Sequence, residues 1–137
     1  MNLNHFLALY RQERIDPVIV CNLPASLVAM IGAKVTRVYL STETLDKQRR
    51  RHPDMTEAHY RALAAALRNG EYRQDSPRTA VVLFVDARLN GLSFRAYVKS
   101  TDNGKEIYVT SFCVVGKRQY RAELRRPYPV IRKHLQI

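Results

Sequence analysis

The chain has 137 residues, 46% of them apolar, with 23 Lys and Arg against 12 acids and a net charge of +11. That length suits one compact domain, and that apolar content excludes wholesale disorder. No run approaches 18 apolar residues, so no membrane-spanning helix and no membrane partner are expected, and "MNLNHFLALYRQER" lacks the basic leader and cleavage site of a signal peptide.

The elements are predicted in chain order as follows. Leu3, Phe6, Leu7 and Tyr10 recur at helical spacing over residues 3–14, behind Asn2 or Asn4 as a cap. "PASLVAMIGA" is a short apolar helix ending near Gly32, and "KVTRVYL" reads as a strand. Ser41 caps "TETLDKQRRR", which stops before Pro53. Asp54 or Thr56 caps "EAHYRALAAALRN", whose apolar stripe is Tyr60, Leu63, Ala64 and Leu67, and Gly70 ends it. The period then changes to two. "TAVVLFVDA", "SFRAYVKS" and "EIYVTSFCVV" are successive strands separated by Asn-Gly turns. "KRQYRAELRR" reads as helix or strand, and "PYPVIRKHLQI" as an extended tail.

This order predicts an α+β fold, with N-terminal helices on one face of an antiparallel meander of about four strands. One domain over 1–137 is expected, made of a helical extension (1–33), a core (34–116) and a basic C-terminal segment (117–137). The fourth strand is open between Val35–Leu40, Glu71–Gln74 and Arg118–Leu124.

Two-residue loops at Asn103-Gly104 and Asn90-Gly91 set a register. The first places Lys99 opposite Tyr108, Val98 opposite Val109, Tyr97 opposite Thr110 and Arg95 opposite Phe112. The second places Asp86 opposite Arg95 and Phe84 opposite Tyr97. One face then holds Leu83, Val85, Ala87, Phe94, Ala96, Val98, Val109, Ser111 and Cys113. The other holds Val82, Phe84, Asp86, Arg95, Tyr97, Lys99, Tyr108, Thr110 and Phe112. The second set combines cations, rings and a hydroxyl. Such a surface stacks unpaired bases and neutralises phosphates. The plainer reading is a solvent face with an Asp86–Arg95 ion pair.

Net +11, with seven basic residues and one acid over 117–137, favours a polyanionic partner, nucleic acid first. Cys21 and Cys113 lack metal-ligand spacing and read as reduced packing residues, which points to a reducing cytoplasm. No metal or other cofactor is expected. Lys47, Arg49, Arg50, Arg51 and His52 crowd the end of one helix. His52 is the side chain best able to exchange a proton near neutral pH, or else a capping residue on the last helix carbonyls. RNA is cut without a metal when a base takes the 2′-OH proton, the oxygen attacks the adjacent phosphorus, an acid protonates the leaving 5′-oxygen and cations hold the added charge. His52, Lys47, Arg95, Lys99 and Thr110 are residues of the right kinds.

A strand ending "VYLS", then "TLDKQRRRHPDMTEAHYRAL", then a meander whose last strand reads "YVTSF", resembles the phage and prophage endoribonuclease-like domains of the barnase–EndoU–colicin–RelE (BECR) superfamily. The likeness spans Val35 to Val115. It implies metal-independent RNA cleavage by 2′-OH transesterification, in a phage-associated factor or bacterial toxin, with an immunity or antitoxin protein as a neutralising partner. Lys47 and His52 match its helix positions, and Thr110 or Ser111 its late-strand polar position. The expected catalytic set is His52, Lys47, Arg95 and Thr110, with Lys99, Tyr97, Tyr108, Arg51, Lys117 and Arg118 binding RNA. The alternatives are a non-catalytic nucleic-acid-binding protein using the same face, or a structural phage protein-interaction module.

Overall fold

A computed structural model describes residues 1–134. Its frame is one seven-stranded mixed sheet in the order β1-β2-β6-β5-β4-β3-β7. The strands are β1 (Val18–Asn22), β2 (Arg37–Leu40), β3 (Glu71–Ser76), β4 (Thr79–Asp86), β5 (Leu92–Ser100), β6 (Ile107–Val115) and β7 (Val130–Arg132). The helices are α1 (Leu3–Tyr10), α2 (Ala25–Met30), α3 (Thr42–Arg51), α4 (Glu57–Tyr60), α5 (Leu63–Asn69) and α6 (Lys117–Leu124).

Local signals hold in several places. The Asn2 carboxamide accepts from the His5 amide at 3.1 Å, and Ser41 Oγ from the Thr44 amide at 3.2 Å, so both helices start where a side chain satisfies an orphan N–H. The expected helix over 57–69 breaks at Arg61-Ala62 into α4 and α5, but its stripe of Tyr60, Leu63, Ala64 and Leu67 is buried. Gly70 follows because nothing larger fits. A Cβ there would stand 2.6 Å from both the Ala66 carbonyl and Val82 Cγ1.

The four-stranded antiparallel meander is overturned. β3–β6 do form antiparallel neighbours, but β2 joins β6 in parallel, β1 extends the sheet beyond β2, and β7 extends it beyond β3. The supposed N-terminal extension and C-terminal segment thus both give strands to the same sheet. Nor do the helices keep to one face. In the C-terminal segment, "KRQYRAELRR" takes the helical of its two expected forms as α6, which lies on the outer face, and the expected extended tail is docked on β3 as β7. The last residues of that segment, 135–137, lie outside the described residues.

The register is right where the turn controls it and wrong beyond. Lys99 opposes Tyr108 and Val98 opposes Val109, as expected, but a bulge at Thr110 then places Tyr97 opposite Ser111 and Arg95 opposite Cys113. Phe112 therefore turns inward and stacks on Phe94, with ring centroids 5.1 Å apart. On the other side, Ala87–Leu89 winds a 3-10 turn whose Arg88 amide donates to Asp86 Oδ1 at 2.9 Å, and the loop lengthens. Asp86 now opposes Leu92, and Leu83 opposes Arg95. This odd shift turns every β4 residue over. Val82 and Phe84 enter the core with Phe94, Ala96, Val98, Val109 and Phe112 beneath α1, α3 and α5. Val81 and Leu83 join Arg95 and Tyr97 outside, and no Asp86–Arg95 pair forms.

Candidate nucleic-acid interface

Beyond Leu40, α3 lies along the β6 edge where a strand would pair. Thr44 Oγ1 donates to the Val109 carbonyl at 3.2 Å, Lys47 Nζ to that of Thr110, and Gln48 Nε2 to that of Phe112. Each replaces a ladder bond that a strand amide would have supplied. Gln48 also donates to the Tyr60 hydroxyl at 3.3 Å and accepts from Ser111 Oγ at 3.4 Å. Lys47 and Thr110, two of the four expected catalytic residues, therefore do meet, through a backbone carbonyl. Thr110 Oγ1 itself donates to the Tyr97 carbonyl at 3.4 Å.

His52 and Arg95 do not join them. His52 is the C-cap of α3, its amide donating to the Gln48 carbonyl at 2.7 Å. It borders a small cavity of about 130 Å³ with Tyr10, Arg49, Met55 and Tyr60, on the helical side. Arg95 alternates along β5 with the core residues Phe94 and Ala96, so it points to the opposite face. There its Nη1 donates to Glu123 Oε1 at 2.9 Å. The four side chains share no cleft. Arg51 is exposed at the end of α3.

The outer face is organised by α6. Glu123 is 1% exposed and takes Arg95, Gln119 Nε2 at 3.1 Å and Arg126 Nη2 at 3.6 Å on a single oxygen. Arg73, also buried, donates from Nε to Glu71 Oε2 at 2.7 Å and from Nη1 to the carbonyls of Leu124 and Arg126 at 2.9 and 3.2 Å. Arg73 thereby caps the C-terminal carbonyls of α6. With its only acid turned inward, α6 and the residue pair after it present Lys117, Arg118, Arg121, Arg125 and Arg126 to solvent. Lys117, Arg121 and Arg125 stand four residues apart, along one line of the helix.

Beyond α6 the outer face carries Tyr97, Lys99 and Tyr108. The Arg95 guanidinium lies 5.5 Å from the Tyr97 ring centroid, and Lys99 is exposed. Tyr108 donates its hydroxyl to Glu106 at 2.6 Å, and that bond, burial and the nearby Glu106 and Glu43 carboxylates push its pKa up to about 12. Burial raises the Tyr97 phenol and the Cys113 thiol; Arg95 opposes both. Sequence reasoning missed Tyr39, which the parallel β2–β6 pairing sets opposite Tyr108, and Glu123, whose partner is 28 residues away. It also missed β1, although "VIVC" is a β-branched run.

A hollow of about 890 Å³ lies on the helical side between α4, α5 and the end of β4, with Met55, Ala62, Phe84, Asp86 and Leu89 among its walls. Among the described residues no three His, Cys, Asp or Glu side chains group as a metal would require. No helix of the described residues is long and apolar enough to cross a membrane.

Comparison with family models, with curated proteins and with solved structures finds no match. The likeness to BECR domains accordingly rests on its short motifs.

Proposed function

We propose that this protein binds nucleic acid, RNA foremost, through the cationic outer surface of α6, without cutting it. One observation carries the reading. α6 buries its only acid against Arg95 and keeps five neighbouring cations in water. Helix stability asks for the reverse. Cations in the first turn face the positive end of the helix dipole, at a cost of about 0.3–1 kcal/mol each. Like charges four residues apart cost about 0.2–0.5 kcal/mol per pair. Lys117 and Arg118 go against the first preference, and the row Lys117, Arg121 and Arg125, four residues apart, against the second, as a surface selected to meet a polyanion would.

The test is fluorescence anisotropy with a labelled RNA across a salt series. Binding should weaken steeply with salt, and replacing Lys117, Arg121 and Arg125 together by Ala should flatten the slope by about 2–3 units. Identical slopes for the two proteins would remove α6 from the interface. Cleavage is the second reading, favoured by the Lys47–Thr110 contact on the α3–β6 seam. RNA recovered intact after incubation in EDTA supports binding alone. Shortened RNA that the His52→Ala variant leaves whole supports the nuclease.

A further inference from the structure

The outer face is covered by α6 only over β3, β4 and part of β5. Over β2, the first part of β6 (107–110) and the far end of β5 it stays open, and the pairing lines up one rank of residues across it. Ile19 opposes Tyr39, Tyr39 opposes Tyr108, and Tyr108 opposes Lys99. Each alternates with buried core neighbours, Val38 and Leu40 around Tyr39, Ile107 and Val109 around Tyr108, so all point outward. The Tyr39 and Tyr108 ring centroids are 6.0 Å apart and tilted by 41°. Tyr97 lies two residues from Lys99, on the same face, beside Arg95. The three rings are half-buried, fixed at their base and open above.

The charges around this terrace are uneven. Glu106 and Glu43 stand near Tyr108, and Asp75 near Tyr97. Cations concentrate on α6, at Lys99 and at Arg37. A phosphate chain is repelled from the Tyr108 rim and drawn towards α6, while uncharged bases are free to lie on the rings.

From this terrace, and resting on the nucleic-acid reading above, we infer that the ligand is single-stranded: unpaired bases stack on Tyr39, Tyr108 and Tyr97, and the backbone follows α6. A duplex has already stacked its bases on one another and offers the rings nothing. Stacking on an aromatic side chain contributes about 1–3 kcal/mol per base and tolerates any sequence, so discrimination should be between strand states rather than between bases.

The experiment compares a labelled 12-nucleotide RNA with the same RNA annealed to its complement, at one salt concentration, for the wild type and for Tyr39→Ala, Tyr97→Ala and the matching Phe variants. The single strand should bind the more tightly. Each Ala variant should lose about fivefold or more in affinity with its salt slope unchanged, and each Phe variant should recover most of that loss. Circular-dichroism melts identify any variant that fails to fold, and the Phe variants keep the comparison valid in that case. Equal affinity for duplex, or Ala variants within twofold of wild type while the α6 variants still flatten the salt slope, overturns the terrace and leaves the α6 reading standing. No binding of either RNA at low salt overturns both.

Discussion

Arg95 is the residue whose role changes most between sequence and structure, and a double-mutant cycle with Glu123 tests the change. The Glu123 side chain is 1% exposed and that of Arg95 22%. Removing one partner of a buried pair costs about 3–5 kcal/mol, because the other charge is left in a poor solvent. Arg95→Ala should fall at the lower end, about 3 kcal/mol, since Gln119 still reaches the carboxylate and water reaches the site along Arg95. Glu123→Ala should cost less, about 2 kcal/mol, because the freed guanidinium can turn to solvent over Tyr97. If the two act as one unit, the double variant costs about as much as Arg95→Ala alone, a coupling of about 2 kcal/mol. Urea unfolding followed by circular dichroism at pH 7 measures all four corners. A double variant whose loss equals the sum of the single losses, within about 0.5 kcal/mol, refutes the clamp. Arg95 would then be available for phosphate, as the sequence suggested.

Three further outcomes are expected. Gln48→Ala should cost about 2–4 kcal/mol, since it strips a partner from the Phe112 carbonyl and the Tyr60 hydroxyl in a dry site, whereas Lys47→Met should cost only about 1–2 kcal/mol, because water can replace its bond to Thr110; the reverse order in urea unfolding would deny α3 its bracing role. Gly70→Ala should destabilise by about 2 kcal/mol or more through overlap alone, while Gly91→Ala, with nothing within 4 Å but φ of +73°, should cost about 1 kcal/mol from its left-handed backbone; thermal melts giving equal losses would refute the overlap. Burial pushes the Cys21 thiol from 9.0 up to about 11, so the unfolded chain ionises first as pH rises. The stability that the neutral thiol contributes is whole below pH 9 and should decline by about 2–3 kcal/mol towards pH 11, a loss that Cys21→Ala lacks when urea midpoints of the two proteins are compared across that range.

What could be read from sequence was what short-range chemistry decides. Ser41, Leu45 and Pro53 suffice to bound α3, because a cap, an apolar position and a blocked carbonyl act within one or two turns. Asn103-Gly104 sets Lys99 against Tyr108 for the same reason. The bulge at Thr110 has no local sign. It arises where β2 ends and α3 begins to bond the β6 carbonyls, a tertiary event 63 to 65 residues away along the chain. Asn90 and Gly91 do adopt the left-handed conformation expected of turn residues. The loop around them is longer than two residues because Asp86 starts a 3-10 turn, and that one choice reversed the faces of β4. Of the expected site, Lys47 and Thr110 meet, while His52 and Arg95 part: Arg95 keeps the outer face it was expected to share with Tyr97 and Tyr108, and His52 ends α3 on the helical side.

The two faces of the sheet are consequently held by different forces. The helical face is closed by hydrocarbon, from Phe6 through Leu67 to Phe112. The part of the outer face under α6 is closed by the buried Val81 and Leu83 together with two buried ion pairs and Arg73 on the helix carbonyls. Salt screens exposed charges over about 8–10 Å and buried ones far less. The contacts that hold α6 to the sheet should therefore survive an ionic strength that releases a polyanion from its outer side. In a salt titration, loss of bound RNA with an unchanged circular-dichroism spectrum separates screening of the α6 surface from detachment of the helix; parallel loss of both signals would mean that α6 is docked by surface charge, and the clamp would not exist.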